Sequence, residues 1–414
     1  MLLHLDKVTL MRLSKRYRHH TVHRLVCVAS VVSVALAVLG ACSTDQPSGP
    51  TDADFQAFAA RGYGLAEHGV ASTSTYAWSV SGQAVSVVVS RPEGTNAAPV
   101  VIYLPGLGEP SEAGELWRTA WSSAGYAVLS VQLLAADGLA WSSDFARKGE
   151  FRKLGLDRFG GPTMHRRLQL LADVVAEAQH RSAYGEAAWT RMDWSRVAIA
   201  GYDVGAYAAM VAAGEHLDGA EDSAGRLKIR AVIALSPFAN PAAGSIDSRY
   251  RDIRLPVLSV TSNTDGDPLG LMDGAALRSV PFDHMRGPDK YLLTLQDVSH
   301  ARLGGNAGAT VPEPQPAKRA SAASLGDDAG QRRGSGQRRS REESDEPTVD
   351  RVRAVDRAVV PGLSASALRM RVLAAQSIST AFLDATLKDD SRARVWLAND
   401  APRWVVGLGT LAWK

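Results

Sequence analysis

The sequence predicts an α/β fold with a mainly parallel, twisted sheet and helices on both faces. Two observations favour this class. Strand-like and helix-like segments alternate from residue 76 onward, and several strand-like segments are continuously apolar, as expected of strands buried on both faces. The 414 residues are 45% hydrophobic and 21% charged, which supplies enough apolar surface for a core. This composition excludes a fully disordered chain and a multi-span membrane protein.

The predicted elements follow one another in a regular order. Residues 76–80 and 84–90, separated at Gly82, form a predicted hairpin. Further predicted strands cover 99–104, 126–134, 196–200, 229–235, 257–261 and 290–295, and predicted helices cover 115–123, 163–179, 206–213 and 364–387. Because strands alternate with helices, we expect right-handed βαβ units and parallel strand pairing.

One stretch, residues 305–360, breaks this pattern. It contains Pro-rich segments, Arg doublets and a short acidic run, and it has few apolar residues. Such a composition cannot offset the entropy of ordering, so we expect a disordered insertion. Helical periodicity resumes at residue 364, so the insertion interrupts a single domain over about residues 76–400. Residues 401–414 are expected to form a C-terminal tail.

The N-terminus has the pattern of an export signal. A basic segment, residues 12–24, precedes an apolar run, residues 25–41, which ends in Leu-Gly-Ala before Cys42. The run is shorter than the about 20 residues that a membrane span needs. Its end resembles a bacterial lipobox, which implies cleavage before Cys42 and lipid attachment to its thiol. We expect a signal peptide over 1–41, a cell-envelope location with a membrane anchor, and a flexible tether over 42–75. An ordinary signal peptide or an uncleaved anchor stays open.

Charge and cysteine content limit the partners. Residues 1–41 contain six Lys and Arg residues against one acid, so the rest of the chain is close to neutral although the total is +3. A near-neutral body lacks the basic face that nucleic-acid binding needs. Cys27 and Cys42 are the only cysteines, so no disulfide framework is possible in the body. The sequence has no zinc motif or phosphate-binding loop, so we expect no metal, no cofactor and a small-molecule substrate; no protein partner is indicated.

A strand–turn–helix motif marks the candidate chemistry. The predicted strand 196–200 leads into Gly-Tyr-Asp-Val-Gly at 201–205 and then into a helix, which is the context of a nucleophile elbow. The central position usually carries Ser, and here it carries Asp203. Asp265 and His300 follow later strands, so nucleophile position, acid and histidine occur in the order that such a site requires. Two other interpretations stay open at this point: that Asp203 only caps its helix, and that Asp265 only begins a turn.

In these motifs the chain resembles the α/β-hydrolase superfamily, nearest to its dienelactone-hydrolase-like and platelet-activating-factor-acetylhydrolase-like branches. The resemblance implies an α/β-hydrolase fold over about residues 76–400. It assigns His300 as the catalytic histidine and Asp265 as the acid, with Asp267 as the fallback. It also implies an oxyanion hole made of the backbone N–H groups of Leu107 and Val204.

The Asp at position 203 decides which reactions are open. A carboxylate has no hydroxyl proton for His300 to remove, so it is a poor fit to the serine route of ester hydrolysis. It can attack an alkyl carbon, as in haloalkane dehalogenases and epoxide hydrolases, and His300 would then activate water against the resulting ester. Those families commonly carry Trp where this chain has Val204, and a helical cap for which residues 236–256 are too short. A hydrolase of ester or alkyl-carbon bonds and a non-catalytic binding protein therefore both stay open.

Overall fold

The computed structural model describes residues 49–64, 72–92, 94, 96–218, 227–239, 245–306 and 364–414. The predicted signal peptide, Cys42 and residues 307–360 of the predicted insertion lie outside the described residues. Residues Pro50–Lys414 form one compact unit. In the parts of the chain that the structure describes, no helix has the length and apolar character needed to cross a membrane.

The described residues form a nine-stranded sheet. Its strands are β1 (Ser72–Val80), β2 (Gln83–Arg91), β3 (Ala98–Leu104), β4 (Ala127–Gln132), β5 (Met192–Tyr202), β6 (Ala231–Leu235), β7 (Val257–Ser262), β8 (Lys290–Leu295) and β9 (Gly409–Trp413). They are arranged in the order β1-β2-β4-β3-β5-β6-β7-β8-β9. Strands β4, β3 and β5 to β8 are parallel neighbours, while β1, β2 and β9 pair in antiparallel fashion. The predicted mainly parallel sheet is confirmed.

Helices connect these strands. They are α1 (Asp52–Ala59), α2 (Glu115–Ser123), α3 (Ala135–Gly138), α4 (Asp144–Arg147), α5 (Phe151–Arg158), α6 (Gly161–Ala183), α7 (Val204–Ala212), α8 (Ile246–Arg249), α9 (Val280–His284), α10 (His300–Leu303), α11 (Ala365–Leu387), α12 (Ser391–Asn399) and α13 (Ala401–Trp404). Short 3₁₀ helices lie at Ala140–Ser142 and Ala275–Ser279. All four helices predicted from periodicity are present.

Two hydrophobic cores cover the two faces of the sheet. Along β3, Ile102 points into one core, with residues of α6 and α7, and Tyr103 points into the other, with residues of α2 and α11. Successive side chains of a strand point to opposite faces, so a strand buried on both faces must be apolar throughout. All seven residues of β3 are buried. The α/β class with helices on both faces is therefore confirmed.

The structure differs from the prediction at the two ends of this unit. The predicted tether, 42–75, contains helix α1 and the start of β1, and the predicted tail, 401–414, contains α13 and β9. Thr51 and Asp54 form a capping box at the start of α1. The buried Phe58 of α1 stacks on Trp404 with ring centroids 4.2 Å apart. These contacts join residues remote in sequence, which is why local composition did not reveal them.

Candidate active site

Asp203 occupies a sharp turn between β5 and α7. Its backbone has φ 52° and ψ −116°, a conformation that costs a non-glycine residue about 1–3 kcal/mol. The turn brings backbones so close that a Cβ on Gly201 would lie 2.3 Å from Gly205, and one on Gly205 would lie 2.1 Å from the Leu104 oxygen. Both glycines are therefore sterically required. Asp203 makes no side-chain cap hydrogen bond, so the helix-cap interpretation is wrong.

The two carboxylate oxygens of Asp203 have different surroundings. Oδ2 accepts a hydrogen bond of 3.1 Å from the backbone N–H of Leu107, in the loop between β3 and α2. Oδ1 lies 3.9 Å from Nε2 of His300. The amide predicted as an oxyanion donor thus binds the Asp203 carboxylate itself. Val204 begins α7, so its N–H belongs to the first helical turn, whose amides have no partner within the helix.

Asp265 lies on the opposite side of the His300 ring. Its Oδ1 is 2.8 Å from Nδ1 of His300, and the side chain is fully buried. The hydroxyls of Thr261 and Ser236 donate to its two oxygens at 2.8 and 2.9 Å. Asp267, the fallback acid, instead accepts hydrogen bonds from backbone amides in its own loop. The structure therefore pairs His300 with Asp265.

A buried arginine completes this side of the site. Arg278 has its Nε 3.2 Å from Oδ1 of Asp265 and donates to the carbonyl oxygens of Asp265, Gly266 and Ser236. Burial would raise the pKa of Asp265, but Arg278 and the hydrogen bond with His300 hold that pKa below its ordinary value. Asp265 is therefore ionised when the site is assembled. The sequence analysis missed Arg278, because a single Arg in the short 3₁₀ helix Ala275–Ser279 belongs to no motif.

His300 is held by its ring and by its backbone. Burial would lower its pKa, but the hydrogen bond to Asp265 and the charges of Asp265 and Asp203 raise the pKa above its ordinary value, with Arg278 opposing them. The Tyr202 hydroxyl donates to the backbone carbonyl of His300 at 2.9 Å. With Nδ1–H directed to Asp265, Nε2 is the nitrogen that faces Asp203 and can exchange a proton.

A second buried carboxyl, Glu109, was also missed by the sequence analysis. It follows the turn that carries Leu107 and is 2% exposed. One oxygen accepts from the N–H of Gly106 at 2.8 Å, and the other accepts from the amide group of Asn306 at 2.7 Å. Burial and the charge of Asp203 raise the pKa of Glu109 to about 7, although its hydrogen bonds and His300 lower it. An acid directly after a Gly-rich turn was the available signal.

The segment between β4 and α6 covers the loops around the site. A Cβ on Gly108, next to Leu107, would lie 2.1 Å from Nε1 of Trp141, and one on Gly155 would lie 2.8 Å from Leu271 in the loop after β7. These close contacts place the 3₁₀ helix Ala140–Ser142 and α5 against the loops that follow β3 and β7. With Asp203 7% and His300 5% exposed, both side chains are largely shielded from water.

Within the described residues, no group of three or more His, Cys, Asp and Glu side chains is arranged to hold a metal ion. No protein-family model matches this chain, and a comparison with curated proteins finds no significant match. The chemistry of the site therefore has to be inferred from its own geometry.

Proposed function

We propose that this chain is an α/β-hydrolase-fold hydrolase that forms an alkyl ester on Asp203. Three features support the fold assignment. A strained residue lies between a central parallel strand and a helix, the order along the chain is Asp203, Asp265, His300, and a backbone N–H from the β3–α2 loop reaches the nucleophile position.

The observation that carries the proposal is that the two oxygens of Asp203 have different contacts. Leu107 holds Oδ2, while Oδ1 lies on the His300 side without a hydrogen bond to the ring at 3.9 Å. A carboxylate fixed by one oxygen presents the other as a nucleophile. In the first step, an Oδ1 lone pair bonds to an alkyl carbon, and the bond to the leaving group breaks with its electron pair. No proton has to leave Asp203.

The second step uses His300. Nε2 removes a proton from water as the water oxygen attacks Cγ of Asp203, and Asp265 stabilises the imidazolium that forms. Negative charge develops on Oδ2, which already binds the Leu107 amide; one such donor is worth about 10²–10³-fold in rate. Collapse breaks the bond from Cγ to Oδ1 and releases the alcohol with the proton from His300. The Asp203 carboxyl group that remains carries one oxygen from water, and it loses the second proton of that water to solvent to become a carboxylate again.

The surrounding hydroxyls favour one type of leaving group. Tyr202 donates to the carbonyl of His300 at 2.9 Å, and Tyr103 donates to the carbonyl of Gly304 at 3.3 Å. Because these hydroxyls already have acceptors, they are poorly suited to protonate an epoxide oxygen. A group that departs as a stable anion, such as a halide on an alkyl carbon, needs no such acid. We therefore place alkyl halides ahead of epoxides, and both ahead of esters.

The test combines turnover with trapping. Purified protein is assayed on small alkyl halides, epoxides and esters, beside Asp203→Asn and His300→Ala, with His216→Ala and Asp252→Asn as exposed controls. We expect activity that both site variants lose and both controls keep. In His300→Gln the ester should accumulate, and mass spectrometry should find the Asp203 peptide heavier by the alkyl group. Background activity alone, or activity unchanged in the site variants, would favour a non-catalytic binding protein.

We also propose that the chain is exported and lipid-anchored at Cys42. The support is the basic segment, the apolar run and the Leu-Gly-Ala-Cys sequence that ends it. Mass spectrometry of the mature N-terminus should find a diacylglycerol-modified Cys42 as the first residue. An unmodified terminus upstream of Cys42 would reject this proposal.

A further inference from the structure

Glu109 has no part in the two proposed chemical steps, yet both oxygens of its carboxylate are hydrogen-bonded close to Asp203 and His300. It lies in the β3–α2 loop, and both of its oxygens accept hydrogen bonds from N–H donors. A buried carboxylate is costly unless its oxygens are satisfied, so these two bonds account for its being tolerated there.

The two donors belong to two different parts of the site. Gly106 directly precedes Leu107, whose amide binds Asp203. Asn306 lies just after α10, the helix that begins with His300, and its Oδ1 accepts from the N–H of Gly114 at 2.8 Å. Glu109 and Asn306 thus join the loop of the oxyanion donor to the segment that carries the catalytic histidine.

The packing around the carboxylate leaves little freedom. A Cβ on Gly106 would lie 3.2 Å from Oε2 of Glu109, and a Cβ on Gly304 would lie 2.9 Å from Oε1. Both loops therefore approach the carboxylate through glycines. A shift of either loop would break a hydrogen bond or produce a clash.

We propose that Glu109 is a positioning residue that fixes the Leu107 amide relative to His300, and that it acts only as a carboxylate. This inference rests on the proposed function for its catalytic consequence. The reason lies in the hydrogen-bond pattern. A protonated Glu109 carries an O–H, and that O–H would face another donor, either the N–H of Gly106 or the side-chain NH₂ of Asn306. Asn306 cannot turn its oxygen toward Glu109 without losing its bond to Gly114. One of the two links must then open.

The electrostatics put this change near neutral pH. Burial raises the pKa of Glu109 to about 7, with Asp203 adding to the rise and His300 opposing it; Tyr103 also faces the carboxylate. Below that pH the proton binds and the link opens; above it the link is closed. His300 must also lose its proton to act as a base, so two groups control the acidic side of the rate profile.

The first experiment needs no substrate. In protein labelled with [¹⁵N]leucine, the Leu107 amide resonance should titrate with a midpoint of about 7. The control is Glu215→Gln, because Glu215 is also buried with a pKa raised to about 7, but it bonds to Arg249. We expect the titration in the wild type and in Glu215→Gln, and its loss in Glu109→Gln. The same titration in Glu109→Gln would overturn the proposal, whether or not the protein is a hydrolase.

The second experiment uses the activity. We expect Glu109→Gln to lower kcat by about 10–10²-fold with little change in KM, because a displaced donor costs transition-state stabilisation. The acidic limb of log kcat against pH should change its slope from two to one. Asn306→Ala breaks the link but keeps the carboxyl group, so its kcat should fall as well. This variant tests the inference even if the Glu109 variant does not fold. An unchanged kcat and slope in folded Glu109→Gln would reject the inference.

Discussion

The two sides of the His300 ring differ in how tightly their groups are held. On the Nδ1 side, Asp265 is fully buried and is bonded by Thr261, Ser236 and Arg278 as well as by His300. On the Nε2 side, Asp203 lies 3.9 Å from the ring and takes one amide bond from the loop after β3. Dense bonding suits a group that orients the base. Sparse bonding suits a group that must form and break a covalent bond.

The largest effect on activity is expected for a substitution of Asp203, on the Nε2 side of the ring. Asp203→Asn keeps the shape of the side chain and an oxygen for the Leu107 amide. It replaces Oδ1, the proposed nucleophile, by an amide nitrogen and removes the negative charge. We expect kcat/KM for an alkyl halide to fall by at least about 10³-fold, as for the loss of other nucleophiles. Circular dichroism should find the fold intact. Retention of more than a tenth of the activity would mean that Asp203 is not the nucleophile.

A second substitution tests whether the sparse side accepts another nucleophile. In Asp203→Ser the Leu107 amide loses its intramolecular partner and becomes available to a substrate carbonyl oxygen. We expect the variant to gain hydrolysis of short activated esters. General-base catalysis by His300 should contribute about 10²–10⁴-fold to the rate of that reaction. Adding His300→Ala should remove that gain. A folded Ser variant without His300-dependent cleavage would show that the hole cannot serve a carbonyl.

On the Asp265 side of the ring, the main effect of a substitution is expected on the free energy of unfolding. Arg278→Gln leaves Asp265 buried without its cation, and breaking a buried pair in this way costs about 3–5 kcal/mol. Because Arg278 opposes the positive form of His300, its loss should also raise the pKa of His300. Denaturant unfolding and a histidine NMR titration measure the two effects. A stable variant with an unmoved His300 titration would mean that Arg278 is dispensable to the pair.

The smallest expected effect is the pH dependence of stability. The folded-state pKa of His300 is raised, so its contribution to stability is fully present below its ordinary value of 6.5 and is lost as pH rises through the raised value. The difference in Tm between the wild type and His300→Gln should therefore shrink as pH rises through this range. A difference that grows instead would contradict the raised pKa.

The residues of the site also differed in how well the sequence predicted them. Asp203, Asp265 and His300 each follow a strand, and parallel strands bring their carboxyl ends to one edge of the sheet, so local pattern was sufficient. Glu109 lies in the β3–α2 loop and Arg278 in the short 3₁₀ helix Ala275–Ser279, and neither segment is long enough to show a periodic pattern in the sequence. Glu109 meets Asn306 across 197 positions of sequence, and only the packed structure creates that contact. The same reason applies to α1 and β9, whose partners are distant in the chain.

The bond between the Leu107 amide and Asp203 has a consequence for substrate choice. An ester carbonyl that needs this amide must displace an intramolecular ligand, which is present at a very high effective concentration. A hydrogen bond to a charged group is worth about 1.5–3 kcal/mol, which corresponds to roughly 10–10²-fold in occupancy. In the proposed mechanism, alkyl substrates do not face this competition, since they approach the other oxygen. Under the proposed function, the Asp203 side chain would therefore compete with carbonyl substrates for the Leu107 amide without hindering attack on an alkyl carbon.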